Sequence, residues 1–340
     1  MTPRKLIAFT EVEDSWEADY LKKNFPEANL LLFDRPAQDI KGKLSEVNLL
    51  SVFIKSRMDR TLLDSLPKLG FITTRSTGYD HIDLKAAAEK NIIVSNVPVY
   101  GENTVAEHTF ALILSLSRNL RKAYLRTVQN NFSIKGLRGF DLKGKTLGVV
   151  GTGHIGLHVI RMGAGFGMKV IASDVRKQTF LSEVLNFEYA PFEDLLKRSD
   201  IITLHVPYLP GTRHLMNQKT IRLIKRGAIL INTARGGLVE TGALVKALDE
   251  GILSGAGLDV LEEEEYLLEE KRLLEGFETE EHWRRLQTTL KNHVLLHREN
   301  VVYTPHMAFY SCEAVRRILD TTIENIRSFL AHVPANQVRE

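Results

Sequence analysis

The sequence predicts an α/β protein built from two doubly wound, parallel-sheet domains. Three observations carry that prediction. The 340 residues exceed the length at which one hydrophobic core usually keeps growing. Short, near-continuous apolar runs alternate with polar, helix-patterned segments, which is how parallel strands covered on both faces read. The alternation comes in two series, and the second carries a glycine turn of its own.

The strands of the first series are Leu6–Phe9, Leu30–Phe33, Leu49–Ile54, Phe71–Thr74 and Ile92–Ser95. The segment ENTVAEHTFALILSLSRNL, residues 102–120, then reads as one long helix. Asn103 or Thr104 is its expected cap, with Glu107 near a capping-box position. Apolar residues surround much of this helix, so it is expected to be buried between domains or subunits. The second series runs through Thr146–Val150, Lys169–Ser173, Asp200–Val206, Ala228–Ala234 and a segment ending at Val260. A charged, helix-like stretch follows, Glu262–Arg298, opening on the acidic run Glu262–Glu265. VVYTPH, from Val301, returns to strand character, and a last helix runs from about Glu313 to Leu330. The second series is one continuous block, so the C-terminal helix is free to cross back onto the first domain.

The balance of 45 basic and 42 acidic residues, a net charge of +3, argues against nucleic acid or a membrane surface as partner. The single cysteine, Cys312, permits no internal disulfide and fits a reducing compartment. MTPRKLIAFT shows no secretory leader pattern. The longest strongly apolar run, Phe110–Leu116, is too short to span a bilayer. The expected location is cytoplasmic.

The strand Thr146–Val150 runs directly into Gly151-Thr152-Gly153-His154-Ile155-Gly156. This is GxGxxG with a strand before it and a helix after it. Gly151 permits the tight turn, Gly153 lets a pyrophosphate approach the backbone, and Gly156 lets the helix lie close to the sheet. The free N–H groups of that helix face the phosphates. The next strand ends at Asp174, where a carboxylate accepts from the ribose hydroxyls and repels a 2′-phosphate. NAD is therefore the expected cofactor, with Arg176 close enough to soften the preference over NADP.

Three polar residues stand just beyond strand ends, where open α/β sheets bind ligands: Arg235, Glu264 and His306. Reduction of a 2-oxo acid needs a planar cation on the carboxylate, an acid for the carbonyl oxygen, and a carboxylate that orients the acid. Arginine, histidine and glutamate suit those tasks in turn. Spacing alone leaves commoner readings open: a surface arginine, a solvated glutamate, a packed loop histidine.

At these residues the sequence resembles a known family. NTARGGLVE, GAGLDVLEEEE and TPHMAFYS, with RSTGYDHIDL, NVPVYGENTVAEHT and LHVPYLPGTRH in order, resemble the D-isomer-specific 2-hydroxyacid dehydrogenases, and most of all their D-lactate branch. The resemblance makes Arg235 of TARG, Glu264 five positions after the aspartate of GLDV, and His306 of PH the catalytic set. It implies that Thr77 and Gly78 bind the substrate carboxylate through their backbone and that Tyr100 faces the substrate. It places His154, Ile155, Val206, Pro207, Thr212, Thr233, Ala234 and Asp259 against NAD. It implies a Rossmann NAD domain, residues 101–299, inserted into a flavodoxin-like substrate domain made of residues 1–100 and 300–340. It implies a homodimer formed through the NAD domain, with the helix from Thr104 to Leu120 as the contact. The long charged stretch after Glu264 leaves Glu262, Glu263 and Glu265 as stand-ins for it.

The expected substrate is a small 2-oxo acid, pyruvate first, with D-lactate as product. Tyr100, Val99 and Phe309 favour a small aliphatic side chain. Glyoxylate or hydroxypyruvate reduction, and an NADH-sensing, corepressor-like binding protein, are the competing readings. No metal is expected: the pairs His154/His158 and His293/His297 have i, i+4 spacing but no HExxH pattern or nearby cysteine. His205 and Cys312 read as packed side chains, and His108 as a capping or interface residue.

Overall fold

The computed structural model describes residues 5–264 and 279–339. Glu265 and the residues after it to 278 lie outside the described residues. The chain forms two units, Met1–Tyr100 with Ser311–Glu340, and Gly101–Tyr310.

The first unit holds five parallel strands: β1 (Leu6–Phe9), β2 (Asn29–Leu32), β3 (Leu49–Val52), β4 (Phe71–Thr74) and β5 (Ile93–Ser95), in the order β2-β1-β3-β4-β5. This is the flavodoxin-like order. Every residue of β3 and β4 is buried, the small hydroxyls of Ser51, Thr73 and Thr74 included, which is why neither strand alternates apolar with exposed polar positions. The helix Cys312–Leu330, capped by the Ser311 hydroxyl on the Ala314 N–H at 3.2 Å, closes this unit. Its Leu319, Ile323 and Ile326 pack with Ile7, Phe9, Leu49 and Phe71 in one core cluster.

The second unit holds β6 (Thr146–Val150), β7 (Lys169–Ser173), β8 (Glu188–Tyr189), β9 (Ile201–Leu204), β10 (Ala228–Asn232), β11 (Leu253–Leu258) and β12 (Val301–Tyr303). All pair in parallel, in the order β12-β11-β10-β9-β6-β7-β8. The order reverses between β6 and β9, so the carboxyl ends of those two strands flank the crevice where a doubly wound sheet takes its ligand.

Three expectations need correction. The long helix is Glu102–Ser117; it stops there, Asn119 takes a left-handed φ of 51°, and a second helix runs Leu120–Val128. Its cap is Gly101, with no side-chain bond, in place of Asn103 or Thr104. Eight residues of the first helix, among them Val105, Phe110, Leu112 and Ile113, are buried, and its apolar surface is spent on its own unit's sheet and helices. Apart from these three, residues 301–310 group with the second unit, where β12 pairs with β11. Among the described residues, no helix is long and apolar enough to cross a membrane.

Candidate active site

The glycine turn follows β6 as its sequence demands. Gly151 has φ +98°, and a Cβ there would lie 2.6 Å from the His205 carbonyl oxygen. A Cβ at Gly156 would lie 2.0 Å from the Gly151 carbonyl oxygen, so the helix His154–Gly165 approaches the turn closely only because that residue is glycine. Gly153 differs, since a Cβ there would meet nothing within 4 Å. Its lack of a side chain serves no packing within the protein and leaves open ground at the helix N-terminus, where His154 and Ile155 begin the first turn. That ground suits a pyrophosphate. His154 Nδ1 lies 2.5 Å from Glu102 Oε1.

Asp174 stands just past β7. Its Oδ2 accepts from the Thr152 N–H at 2.6 Å and the Thr152 hydroxyl at 3.0 Å, and its Oδ1 from the Arg176 N–H at 2.8 Å. Partial burial pushes this carboxyl up, but the N–H groups of Thr152, Arg176 and Val175 and the Thr152 hydroxyl outweigh it and hold the group below the usual carboxylate range. Tyr189, on the two-residue strand β8, bonds the Thr152 hydroxyl at 2.9 Å. Nothing in the sequence pointed to Tyr189.

The loop after β9 carries Val206, Pro207 and Thr212. The Thr212 hydroxyl closes it by donating to the Pro207 carbonyl at 2.6 Å. His205 bonds Thr203 Oγ1 at 2.8 Å, and burial pushes its imidazole down to about 3, so it is neutral. Thr233 bonds Thr109 through their hydroxyls at 2.9 Å, and the Ala234 N–H donates to Asn232 Oδ1 at 3.1 Å.

Asp259 is almost wholly buried. Its carboxylate accepts from the Thr304 hydroxyl at 2.5 Å and from the N–H groups of Met307 and Ala308, both at 2.9 Å. Its carbonyl accepts the His306 N–H at 2.8 Å. Asp259 thus anchors the loop that carries His306, a role the sequence did not reveal. His108 sits beside this anchor, bonded to Thr304 Oγ1 at 2.8 Å. Burial pushes its imidazole down, against the pull of Asp259.

Arg235, Glu264 and His306 follow three adjacent strands. Asn232, Leu258 and Tyr303 stand in register across β10, β11 and β12. Neighbouring strands lie about 4.8 Å apart, so the three chain ends span about 10 Å. Arg235 is extended and half-buried; its carbonyl accepts from Asn232 Nδ2 at 2.9 Å and its Nη1 donates to the Ala234 carbonyl at 2.8 Å. A Cβ at Gly236 would lie 1.9 Å from the Leu261 carbonyl oxygen, which brings the Arg235 loop against the turn that carries Glu264.

Glu264 Oε1 lies 2.7 Å from His306 Nδ1, and its Oε2 accepts the Leu261 N–H at 3.1 Å. His306 has φ 54°, a left-handed conformation uncommon for a side-chain-bearing residue. Burial, and then the charges of Glu264 and Asp259, push the Tyr303 phenol up to about 12. The other glutamates of the run turn elsewhere: Glu262 to His214 at 2.6 Å and Glu263 to Arg284 at 3.3 Å. Glu265 lies outside the described residues.

Thr77, Gly78 and Tyr100 belong to the first unit. The Thr77 hydroxyl donates to the Val97 carbonyl at 2.8 Å, the Ser76 hydroxyl to the Gly78 carbonyl at 2.6 Å, and Arg317 Nε to the Tyr100 carbonyl at 2.5 Å. Beneath this turn Arg75 is buried, donating to the carbonyls of Thr10 at 2.6 Å and Glu11 at 3.0 Å. The buried Glu11 carboxylate accepts from the N–H groups of Phe53 at 3.0 Å and Lys55 at 2.8 Å. Sequence pattern alone did not single out Glu11.

Residues 110–308 match the model of the NAD binding domain of the D-isomer-specific 2-hydroxyacid dehydrogenases. The chain belongs to that family. As an NAD-binding dehydrogenase it is 34% identical to the D-lactate dehydrogenase of Escherichia coli, over 88% of this chain and 87% of that protein. It is 37% identical to the glyoxylate reductase of Thermococcus litoralis, over 88% of this chain and 85% of the other. A solved D-lactate dehydrogenase from Aquifex aeolicus, complexed with NAD and lactic acid, superposes with a TM-score of 0.85 at 38% identity, covering 98% of this dehydrogenase and 99% of that chain.

Proposed function

We propose that this dehydrogenase interconverts a small 2-oxo acid and its D-2-hydroxy acid, with pyruvate and D-lactate as the preferred pair. The single observation that carries the reading is the contact of His306 Nδ1 with Glu264 Oε1 at 2.7 Å, at the strand ends where Arg235 also emerges.

In this reading the second unit is the NAD domain and the first the substrate domain. Gly151, Gly153, His154, Ile155 and Gly156 hold the pyrophosphate, and Asp174 the ribose. Val206, Pro207, Thr212, Thr233, Ala234 and Asp259 line the rest of the cofactor's course. NAD, when bound, supplies or accepts the hydride. The Arg235 guanidinium grips the substrate carboxylate in two-point fashion and polarises the carbonyl. The backbone of Thr77 and Gly78 binds the same carboxylate, and Tyr100 faces the substrate side chain. His306, held through Nδ1 by Glu264, gives its other ring proton to the carbonyl oxygen in reduction and takes it back in oxidation.

Initial rates with NADH and pyruvate, glyoxylate, hydroxypyruvate, 2-oxobutyrate and 2-oxoisocaproate test the assignment. Pyruvate is expected to give the highest kcat/KM. The kinship to the Thermococcus litoralis protein favours glyoxylate as the second reading, and a glyoxylate rate above that with pyruvate would establish it.

The same reading makes the protein a cytoplasmic homodimer. The surface for a second copy is the strip after the long helix. Leu120, Tyr124, Leu125 and Val128 are exposed on the helix Leu120–Val128, which buries none of its residues, and Phe132 and Ile134 beyond it are 74% and 86% exposed.

A further inference from the structure

Three consecutive glutamates serve three different partners at the end of β11. Glu262 meets His214, Glu263 meets Arg284, and Glu264 meets His306. Glu263 has φ 55°, and this left-handed residue reverses the local chain so that its two neighbours diverge. Two carboxylate–imidazole couples therefore stand one residue apart on the same turn. Only the second belongs to the acid–base chemistry proposed above.

The first couple is tied down more thoroughly. Glu262 Oε1 lies 2.6 Å from His214 Nε2. Its Oε2 accepts from the Thr241 N–H at 3.1 Å and the Thr241 hydroxyl at 3.0 Å. Its carbonyl accepts from Asn292 Nδ2 at 2.8 Å. His214 is itself left-handed, at φ 48°; its N–H donates to the Gly237 carbonyl at 2.9 Å and its carbonyl accepts from Asn217 Nδ2 at 2.9 Å. The couple thus joins three loops: the one after β9 that ends at His214, the Arg235–Thr241 loop, and the turn Leu261–Glu264.

We propose that Glu262 and His214 are positioning residues for catalysis: by fixing the turn Leu261–Glu264 they hold Glu264 against Nδ1 of His306, while neither touches substrate or cofactor. Glu262 is then no stand-in for Glu264 but its support. Nearby, the Leu261 N–H donates within the turn, to Glu264 Oε2 at 3.1 Å. Loss of the Glu262 side chain would remove its bonds to His214 and Thr241 from the turn, while the Asn292 bond and the Glu263–Arg284 pair remain. A displacement of about 1 Å in a catalytic group costs roughly 10²-fold in rate.

This inference rests on the roles given to His306 and Glu264, so Glu264→Gln accompanies the test. The proteins to compare are the parent, Glu262→Ala, Glu262→Gln, His214→Ala, His214→Gln and Glu264→Gln. For each, kcat and KM are measured with NADH and the best 2-oxo acid of the panel. NADH affinity is measured separately by fluorescence titration, and folding by melting temperature. Glu262→Ala is expected to lose roughly 10- to 100-fold in kcat while NADH affinity stays within about threefold. Glu262→Gln, which still accepts from Thr241, is expected to return to within about threefold of the parent. A folded Glu262→Ala with parental kcat overturns the proposal. So does a Glu262→Gln as impaired as the alanine variant, or a loss of kcat matched by an equal loss of NADH affinity. If Glu262→Ala does not fold, the His214 pair decides: the alanine variant must lose kcat with NADH affinity retained and the glutamine variant must recover it, and any other pattern overturns the couple. Parental kcat in Glu264→Gln would instead sink the underlying assignment of the acid pair.

Discussion

His306 Nδ1 and Glu264 Oε1 stand 2.7 Å apart although 42 positions separate the two residues in the chain. A carboxylate at that nitrogen fixes Nδ1 as the donor and leaves Nε2 for the substrate. Replacing His306 with glutamine keeps most of the volume and removes the transferable proton. The expected loss in kcat is about 10²- to 10⁴-fold, with NADH affinity unchanged. Steady-state rates and a fluorescence titration check both halves, and pyruvate reduction at the parental rate would disprove the assignment.

Arg235→Lys separates charge from geometry. The ammonium keeps the positive charge but cannot make the planar two-point contact with a carboxylate. Loss of one charge-assisted bond of that kind corresponds to roughly 10- to 100-fold in kcat/KM for the 2-oxo acid. NADH binding should be spared. An unaltered kcat/KM for the acid would mean that the guanidinium fork is not used.

Under the proposed function Asp174 sets cofactor choice through its charge. Asp174→Asn should lower the ratio of kcat/KM for NADH to that for NADPH by about 10-fold or more. The carboxyl titrates below its ordinary range in the folded protein. Its stabilising contribution is therefore complete above about pH 4 and lost as pH falls through the lower, folded value. Urea unfolding of parent and variant from pH 7 to 3 should show their stability difference shrinking only at the acid end.

His205 works in the opposite sense to a salt-bridged histidine. Burial pushes it down to about 3, whereas the unfolded chain takes up that proton near pH 6.5. The native state is thus fully favoured above about pH 6.5 and loses ground as pH falls from there toward 3, by at most about 1.4 kcal/mol per pH unit. His205→Gln should flatten that dependence. Denaturation midpoints at pH 7.5 and pH 5 measure it, and equal slopes for parent and variant would refute the claim.

Val128→Glu and Phe132→Glu place charge on the exposed apolar strip. Sedimentation equilibrium is expected to show a dimer for the parent and a monomer for the double variant. A parent that sediments as a monomer removes the case for association through this strip.

Much of this was legible in the residues, and the limits are physical. β1, β4, β6 and β7 begin and end where their apolar runs do, because strands buried on both faces leave no ambiguity of period. β8 was invisible: two residues, Glu188 and Tyr189, on the sheet edge carry no pattern. The break at Asn119 was missed because a single left-handed asparagine leaves no mark in a polar stretch, Ser117–Asn119, that reads equally well as a helix end. The acidic run illustrates a different limit. Four adjacent glutamates look alike in one dimension, and the resemblance to a family chose Glu264 where spacing could not. The left-handed backbone at Glu263, which sends its neighbours to different imidazoles, belongs to the folded chain alone.

The C-terminal helix completes the same core cluster that β1, β3 and β4 begin: Ile323 and Ile326 meet Ile7, Phe9 and Phe71. A ribosome therefore releases the opening hundred residues with that apolar sheet face covered only in part, by Leu21 and Phe25, and some two hundred more emerge before its cover is complete. Nascent chains of this enzyme should depend on chaperone shelter for that interval, and premature termination ahead of Cys312 should yield insoluble product even though the whole cofactor-binding body has been translated.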